Sequence, residues 1–118
     1  MKILYLAILF SVLFLFGCHQ PKEVFYWGNY SSTLYDLKNN PDDETLAAHK
    51  KELVTIIDYA SKKSRKVPPG VMAEYGYILL KEGNEKEGYE YLDKEIELYP
   101  ESAIFISRIK EVYKGDEE

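Results

Sequence analysis

Two glycines twelve residues apart, Gly76 in an apolar run and Gly88 on the apolar face of an amphipathic one, sit on either side of a Gly83-Asn84 turn. A glycine within a helix costs about 1 kcal/mol relative to alanine, so two of them at facing positions need a compensating gain. Two helices that must approach closely supply it, because a larger side chain at either position would hold them apart. The flanking pattern agrees. Met72, Tyr75, Gly76 and Leu79 share one helical face, and Val71, Ile78 and Leu80 make the same segment apolar over most of its circumference, as in a buried helix. Lys81-Glu82-Gly83-Asn84 reads as a tight turn with Gly83 as the C-cap. The next helix runs from Glu85 to Tyr99, with Gly88, Leu92, Ile96 and Tyr99 inward and Glu90, Asp93, Lys94 and Glu97 outward. Pro100 stops it, and Ser102 can cap a last helix over 102–114 that carries Ile104, Phe105, Ile109, Val112 and Tyr113.

The earlier chain also divides at its breakers. Ser31-Ser32 offers an N-cap hydroxyl for a short helix over 30–38, and Asn39-Asn40-Pro41 ends it. Asp42-Asp43-Glu44 opens a longer helix over 43–64, where acidic residues complement the positive end of the dipole. Its apolar positions are Leu46, Leu53, Ile56, Ile57 and Ala60. Lys62, Lys63, Arg65 and Lys66 close it, either as compensation for the dipole or as an attractive surface for an acidic partner or lipid. Pro68-Pro69-Gly70 then turns the chain and can place a proline at the start of the next helix. The expected fold is all-α, about five helices in hairpins, over residues 25–114, with 115–118 as a solvated acidic tail.

The first 17 residues are of another kind. Ile3 to Phe16 is apolar except for Ser11, and Lys2 is the only charge. A helix of that length rises about 21 Å at ~1.5 Å per residue, short of the ~30 Å hydrocarbon layer. The segment fits a signal peptide rather than a span. Removing it takes away one lysine and no acid, which moves the net charge from −5 to −6. Such an acidic chain lacks the basic stripe that a nucleic-acid groove needs.

Leu15-Phe16-Gly17-Cys18 resembles the lipobox of bacterial lipoprotein precursors, with Leu15 at the aliphatic position and Gly17 before the cysteine. Phe16 departs from the usual small or β-branched residue. The resemblance implies cleavage between Gly17 and Cys18, a diacylglycerol on the Cys18 thiol and an acylated amino terminus. Two or three acyl chains anchor a protein stably where one binds marginally. The competing reading is an ordinary signal peptide followed by a free or buried cysteine. Cys18 is the only cysteine, so the remaining chain has no disulfide and no thiol nucleophile. His19 follows it rather than the aspartate that retains Gram-negative lipoproteins at the inner membrane, so the resemblance implies an outer-membrane destination; the periplasmic face is the expected side, with the cell surface as the alternative. The tether, residues 18–24, is short: His19 to Val24 reaches ~20 Å at most, so the folded part stays close to the membrane and so does its partner.

Residues 71–102 resemble one tetratricopeptide helix pair. Gly76 and Gly88 match its small residues, Leu92 its large apolar residue and Pro100 its terminator, whereas Met72, Leu79 and Glu95 replace the expected Trp, Tyr and Ala. An unrelated antiparallel pair would need a similar pattern. More broadly, the lipobox, YWGNY at 26–30, VPPG at 67–70, AEYGYILL at 73–80, GN at 83–84 and YPES at 99–102 together resemble a family of small bacterial lipoproteins known as domain of unknown function 4810. That resemblance implies an accessory role in an outer-membrane assembly beside other envelope lipoproteins, including ones similar to the curli-export channel subunit. It assigns no catalytic residue.

For function, the residues point to binding rather than catalysis. His19 lies in the tether, and His49, between helix positions rich in lysine, reads as solvated. No HExxH, phosphate loop or nucleophile elbow is present. No catalytic residue, metal ligand, cofactor or small-molecule substrate is assigned; the only added groups are the diacylglycerol and acyl chain at Cys18. Tyrosine gives large contact area at low entropic cost, and Tyr77, Tyr89 and Tyr91 lie off the inward face, which makes them candidate partner contacts. Tyr26, Trp27 and Tyr30 either pack over the first helix pair or meet lipid headgroups or a partner. The expected role is a membrane-anchored protein-binding adaptor, with a structural subunit of an oligomeric lipoprotein assembly as the alternative.

Overall fold

A computed structural model describes residues 1–3 and 23–115. Gly17, Cys18, most of the leader, most of the tether and the tail residues 116–118 lie outside the described residues. Within them the chain forms five α-helices and no strand: α1 Tyr30–Asn39, α2 Asp43–Lys62, α3 Val71–Lys81, α4 Glu85–Leu98 and α5 Ala103–Gly115, with a 3-10 turn at Pro100–Ser102 before α5. The all-α expectation holds, and the helix boundaries fall within a residue or two of those read from the breakers.

The caps differ in detail from the sequence reading. α1 starts at Tyr30, one residue before Ser31, and its N-cap Asn29 makes no side-chain cap bond. The two serines therefore lie inside the first turn. α2 has a complete capping box: Asp42 accepts from the Thr45 amide at 2.8 Å, and the Thr45 hydroxyl takes up the Asp42 amide at 3.2 Å. Neither Pro68 nor Pro69 enters α3; Gly70, at φ +90°, precedes its first residue. Ser102 closes the 3-10 turn, donating its hydroxyl to the Tyr99 carbonyl at 2.7 Å. α2 and α3 both end in Schellman motifs, in which the amides two residues past the last turn return to it. At α3 these are Gly83 to Leu80 and Asn84 to Leu79, and at α2 Ser64 to Ser61 and Arg65 to Ala60.

Helices α1 and α2 form one hairpin and α3 and α4 another, with α3 between them. Leu53, Ile56 and Ala60 of α2 meet Val67, Val71 and Ile78, flanked by Tyr26, Tyr30, Met72 and Tyr75. On the other side of α3, Ala73 and Leu80 meet Leu92 of α4 and Ile106 of α5. Packing on both sides explains why α3 is apolar nearly all round. The glycine crossing is tight. A Cβ on Gly76 would lie 2.7 Å from the Gly88 carbonyl oxygen, and a Cβ on Gly88 would lie 2.7 Å from Leu80 Cδ2. This is the close approach that the two glycines predict.

Candidate interaction site

The segment before α1 is fastened to α2 although it has no regular structure. The Tyr26 ring stacks on Tyr59 at 3.9 Å between centroids. Gly28 adopts φ +48°, where a Cβ would meet Glu52 Oε1 at 2.2 Å; the same oxygen accepts from the Asn29 amide at 2.8 Å. The Trp27 carbonyl accepts from the Tyr30 amide, and the indole stands edge-on to Tyr30 at 5.3 Å. Trp27 is thus held through its carbonyl, between the stacked Tyr26 and the Glu52-bound Asn29 amide, and is still 41% exposed. Tyr26 and Tyr30 are half-buried, in line with rings that pack over the first helix pair, whereas Trp27 is presented outward.

Tyr30 leads into a polar cluster that joins three helices. Its hydroxyl donates to Glu74 Oε2 at 2.7 Å, while Glu74 Oε1 lies 3.0 Å from His49 Nε2 and His49 Nδ1 lies 2.8 Å from the Thr33 hydroxyl. Burial, then the hydrogen bond and charge of Glu74, push the Tyr30 hydroxyl well above the ordinary tyrosine range. His49 is 0% exposed, which corrects the reading of a solvated histidine. It stands on the stripe Leu46, His49, Leu53, Ile56, Ala60, spaced 3, 4, 3, 4, so its place on the inner face was present in the sequence and its lysine neighbours obscured it. Enclosed by α1 and α3, the imidazole cannot reach a substrate unless α1 moves. The cluster acts as a clamp between the hairpins.

Glu95 is a second buried group that sequence reasoning did not single out as functional or structural. It is 2% exposed, and its carboxylate accepts from the amides of Gly70 at 2.7 Å and Ala73 at 3.3 Å. A carboxylate from α4 thereby satisfies amides at the start of α3, where the dipole favours negative charge. The Gly88, Leu92, Glu95 spacing places it on the inner face, as for His49.

The three candidate tyrosines separate. Tyr77 is exposed, with Lys81 Nζ 5.5 Å from its ring centre. Tyr89 and Tyr91 are half-buried rather than exposed: Tyr89 meets Tyr113 edge-on, and Tyr91 meets Tyr75 edge-on at 4.7 Å, with Lys94 over its ring at 4.3 Å. They brace α4 against its neighbours because their positions flank the buried stripe. Burial raises the Tyr91 hydroxyl, with the neighbouring Tyr75 and acidic groups adding to it.

Tyr77 borders a groove between α3 and α5 with a volume of about 600 Å³. Ala73 and Tyr77 form one wall, and Phe105, Ile109 and Val112 the other, with Arg108 at the rim. Among the described residues, no group of three or more histidine, cysteine or acidic side chains converges as a metal site would require, and no helix is long and apolar enough to cross a membrane.

The family model described as Domain of unknown function (DUF4810) matches residues 24–109. The chain belongs to this family. The matched range takes in the Trp27 segment, the His49 cluster and Glu95, and ends at Ile109 in α5, before Val112 and Tyr113. No curated protein and no solved structure matches the chain.

Proposed function

We propose that this member of the family is a lipoprotein of the bacterial outer membrane, cleaved before Cys18 and acylated on it, whose helical domain binds another envelope protein on the periplasmic face. It is a non-catalytic adaptor or accessory factor, and the acyl chains on Cys18 are its only non-protein groups. The observation that supports this reading best is the braced exposure of Trp27. Indole prefers interfaces between apolar and wet surroundings, and its position nine residues after Cys18 keeps it within about 30 Å of the anchor even when the tether is fully extended. The partner is then itself membrane-bound. An envelope lipoprotein similar to the curli-export channel subunit fits. A second reading, a structural subunit of an oligomeric lipoprotein assembly, is favoured by the uncovered outer face of α5.

Cells that express the chain with its own leader, fed an alkyne-tagged palmitate, test the anchor. The native protein should carry the tag and sediment with outer membranes, and Cys18→Ala should do neither. A native chain that carries no tag would overturn the lipoprotein reading. Trp27→Ala should remain tagged yet lose crosslinking to its envelope partner.

A further inference from the structure

The last helix has no counterpart of its own. α1 is covered by α2 and α3 by α4, whereas α5 rests on α3 and α4 through Ile106, Ile109 and Tyr113. Its solvent-facing side, which runs from the α3–α5 groove lined by Phe105 and Arg108 round to Ile104, is not polar: Ile104 is 73% and Phe105 63% exposed. Helical spacing puts Arg108 on that face one turn further on, and Glu101 one turn before, in the lead-in 3-10 turn. Both are exposed, and neither makes a hydrogen bond or ion pair among the described residues.

The order of these four residues is informative. Glu101, Ile104, Phe105 and Arg108 are symmetric about the midpoint between Ile104 and Phe105, with the charge reversed at the two ends. A helix with this pattern is complementary to itself when laid antiparallel. We infer that a second copy of this chain covers the outer face of α5, the two helices crossing at a two-fold axis between Ile104 and Phe105. Each Glu101 then meets Arg108 of the second copy, and Ile104 meets Phe105 of the second copy, so every contact occurs twice. Parallel pairing would set Glu101 against Glu101 and align the helix dipoles, both unfavourable. The apolar pair drives the association, and the two ion pairs fix its direction and register. An unrelated helix would call for no such internal symmetry, which is why a second copy is the favoured occupant. The inference deepens the oligomeric-subunit reading and does not depend on the adaptor reading; its disulfide test uses the acylation that the proposed anchor gives Cys18, which leaves that thiol unable to crosslink.

The test uses the full chain with its own leader, in isolated membranes, under mild oxidation. Ile104→Cys lies beside the axis and should give a disulfide-linked product of twice the chain mass. The native chain, with Cys18 alone, and Tyr35→Cys, on the exposed side of α1, should stay monomeric. Adding Arg108→Glu to Ile104→Cys should reduce the dimer at least tenfold, and adding Glu101→Arg as well should restore it. Recovery in that combination also shows that Arg108→Glu did not act by unfolding the chain. A monomeric Ile104→Cys, a product of any mass other than twice the chain, or a dimer indifferent to the charge reversals would overturn the inference.

Discussion

At Glu95 the residue that the tetratricopeptide pattern expects is alanine, and the structure gives the carboxylate a specific task. It accepts from two amides at the start of α3 while almost fully buried. Glu95→Ala, which restores the expected residue, should therefore destabilise the protein by about 3 kcal/mol, the order expected when buried donors lose a charged acceptor; urea denaturation measures it, and a neutral or stabilising effect would refute the capping role. Tyr30 gives a pH dependence of known sign. Its hydroxyl is raised above the ordinary value of about 10, so the fold favours the neutral phenol. That contribution is intact below about pH 10 and is lost as the pH climbs through the raised value. The urea midpoint should fall above pH 10, and Tyr30→Phe should flatten the fall. Asp42 works in the opposite direction: its carboxyl is held below the ordinary range, chiefly by the Thr45 amide, so its contribution is present above about pH 4 and fades as the pH drops. His49 and Glu95 were the least legible residues in the sequence. Each sits on a buried helical stripe, and a reading that ranks positions by hydrophobicity passes over a polar residue there, because only the three-dimensional partners, Thr33 and Glu74 or the Gly70 and Ala73 amides, make its burial affordable.

Among the elements, the breakers and helical spacing located all five helices, because Pro41 and Pro100 cannot continue a helix and Gly70 and Gly83 take up positive φ at the turns, unlike Gly76 and Gly88 within helices. Caps were harder to read, since they depend on backbone angles. Ser64 is the case in point: it holds φ +50° at the end of α2, a conformation that costs a residue with a Cβ roughly 1 kcal/mol. Ser64→Gly should raise stability by about 0.5–1 kcal/mol, detectable as a higher thermal midpoint. The α3–α4 crossing predicts an order of severity. Gly76→Ala would press a methyl group against the Gly88 carbonyl at 2.7 Å and the Leu92 amide nitrogen at 3.1 Å, whereas Gly88→Ala would press one against the Leu80 side chain at 2.7 Å and the Gly76 carbonyl at 2.9 Å, one backbone contact in place of two. The first should cost about 2–4 kcal/mol and the second about 1–2 kcal/mol. Equal effects at the two sites would contradict the geometry.

For the whole molecule, the structure yields two hairpins locked by the Tyr30, Glu74, His49 and Thr33 cluster, an exposed tryptophan at the end nearest the tether in sequence, and an uncovered helix at the other. The proposed anchor rests on the Leu15-Phe16-Gly17-Cys18 pattern alone, because acylation is chemistry performed by other enzymes and leaves no packing to inspect. The proposed binding role rests on what the fold leaves uncovered, chiefly Trp27. The most direct test is chemical crosslinking in intact membranes followed by recovery of the native chain and of Cys18→Ala. The account predicts one defined envelope protein crosslinked to the native chain alone, and equal recovery by both forms, or no envelope protein with either, would contradict it.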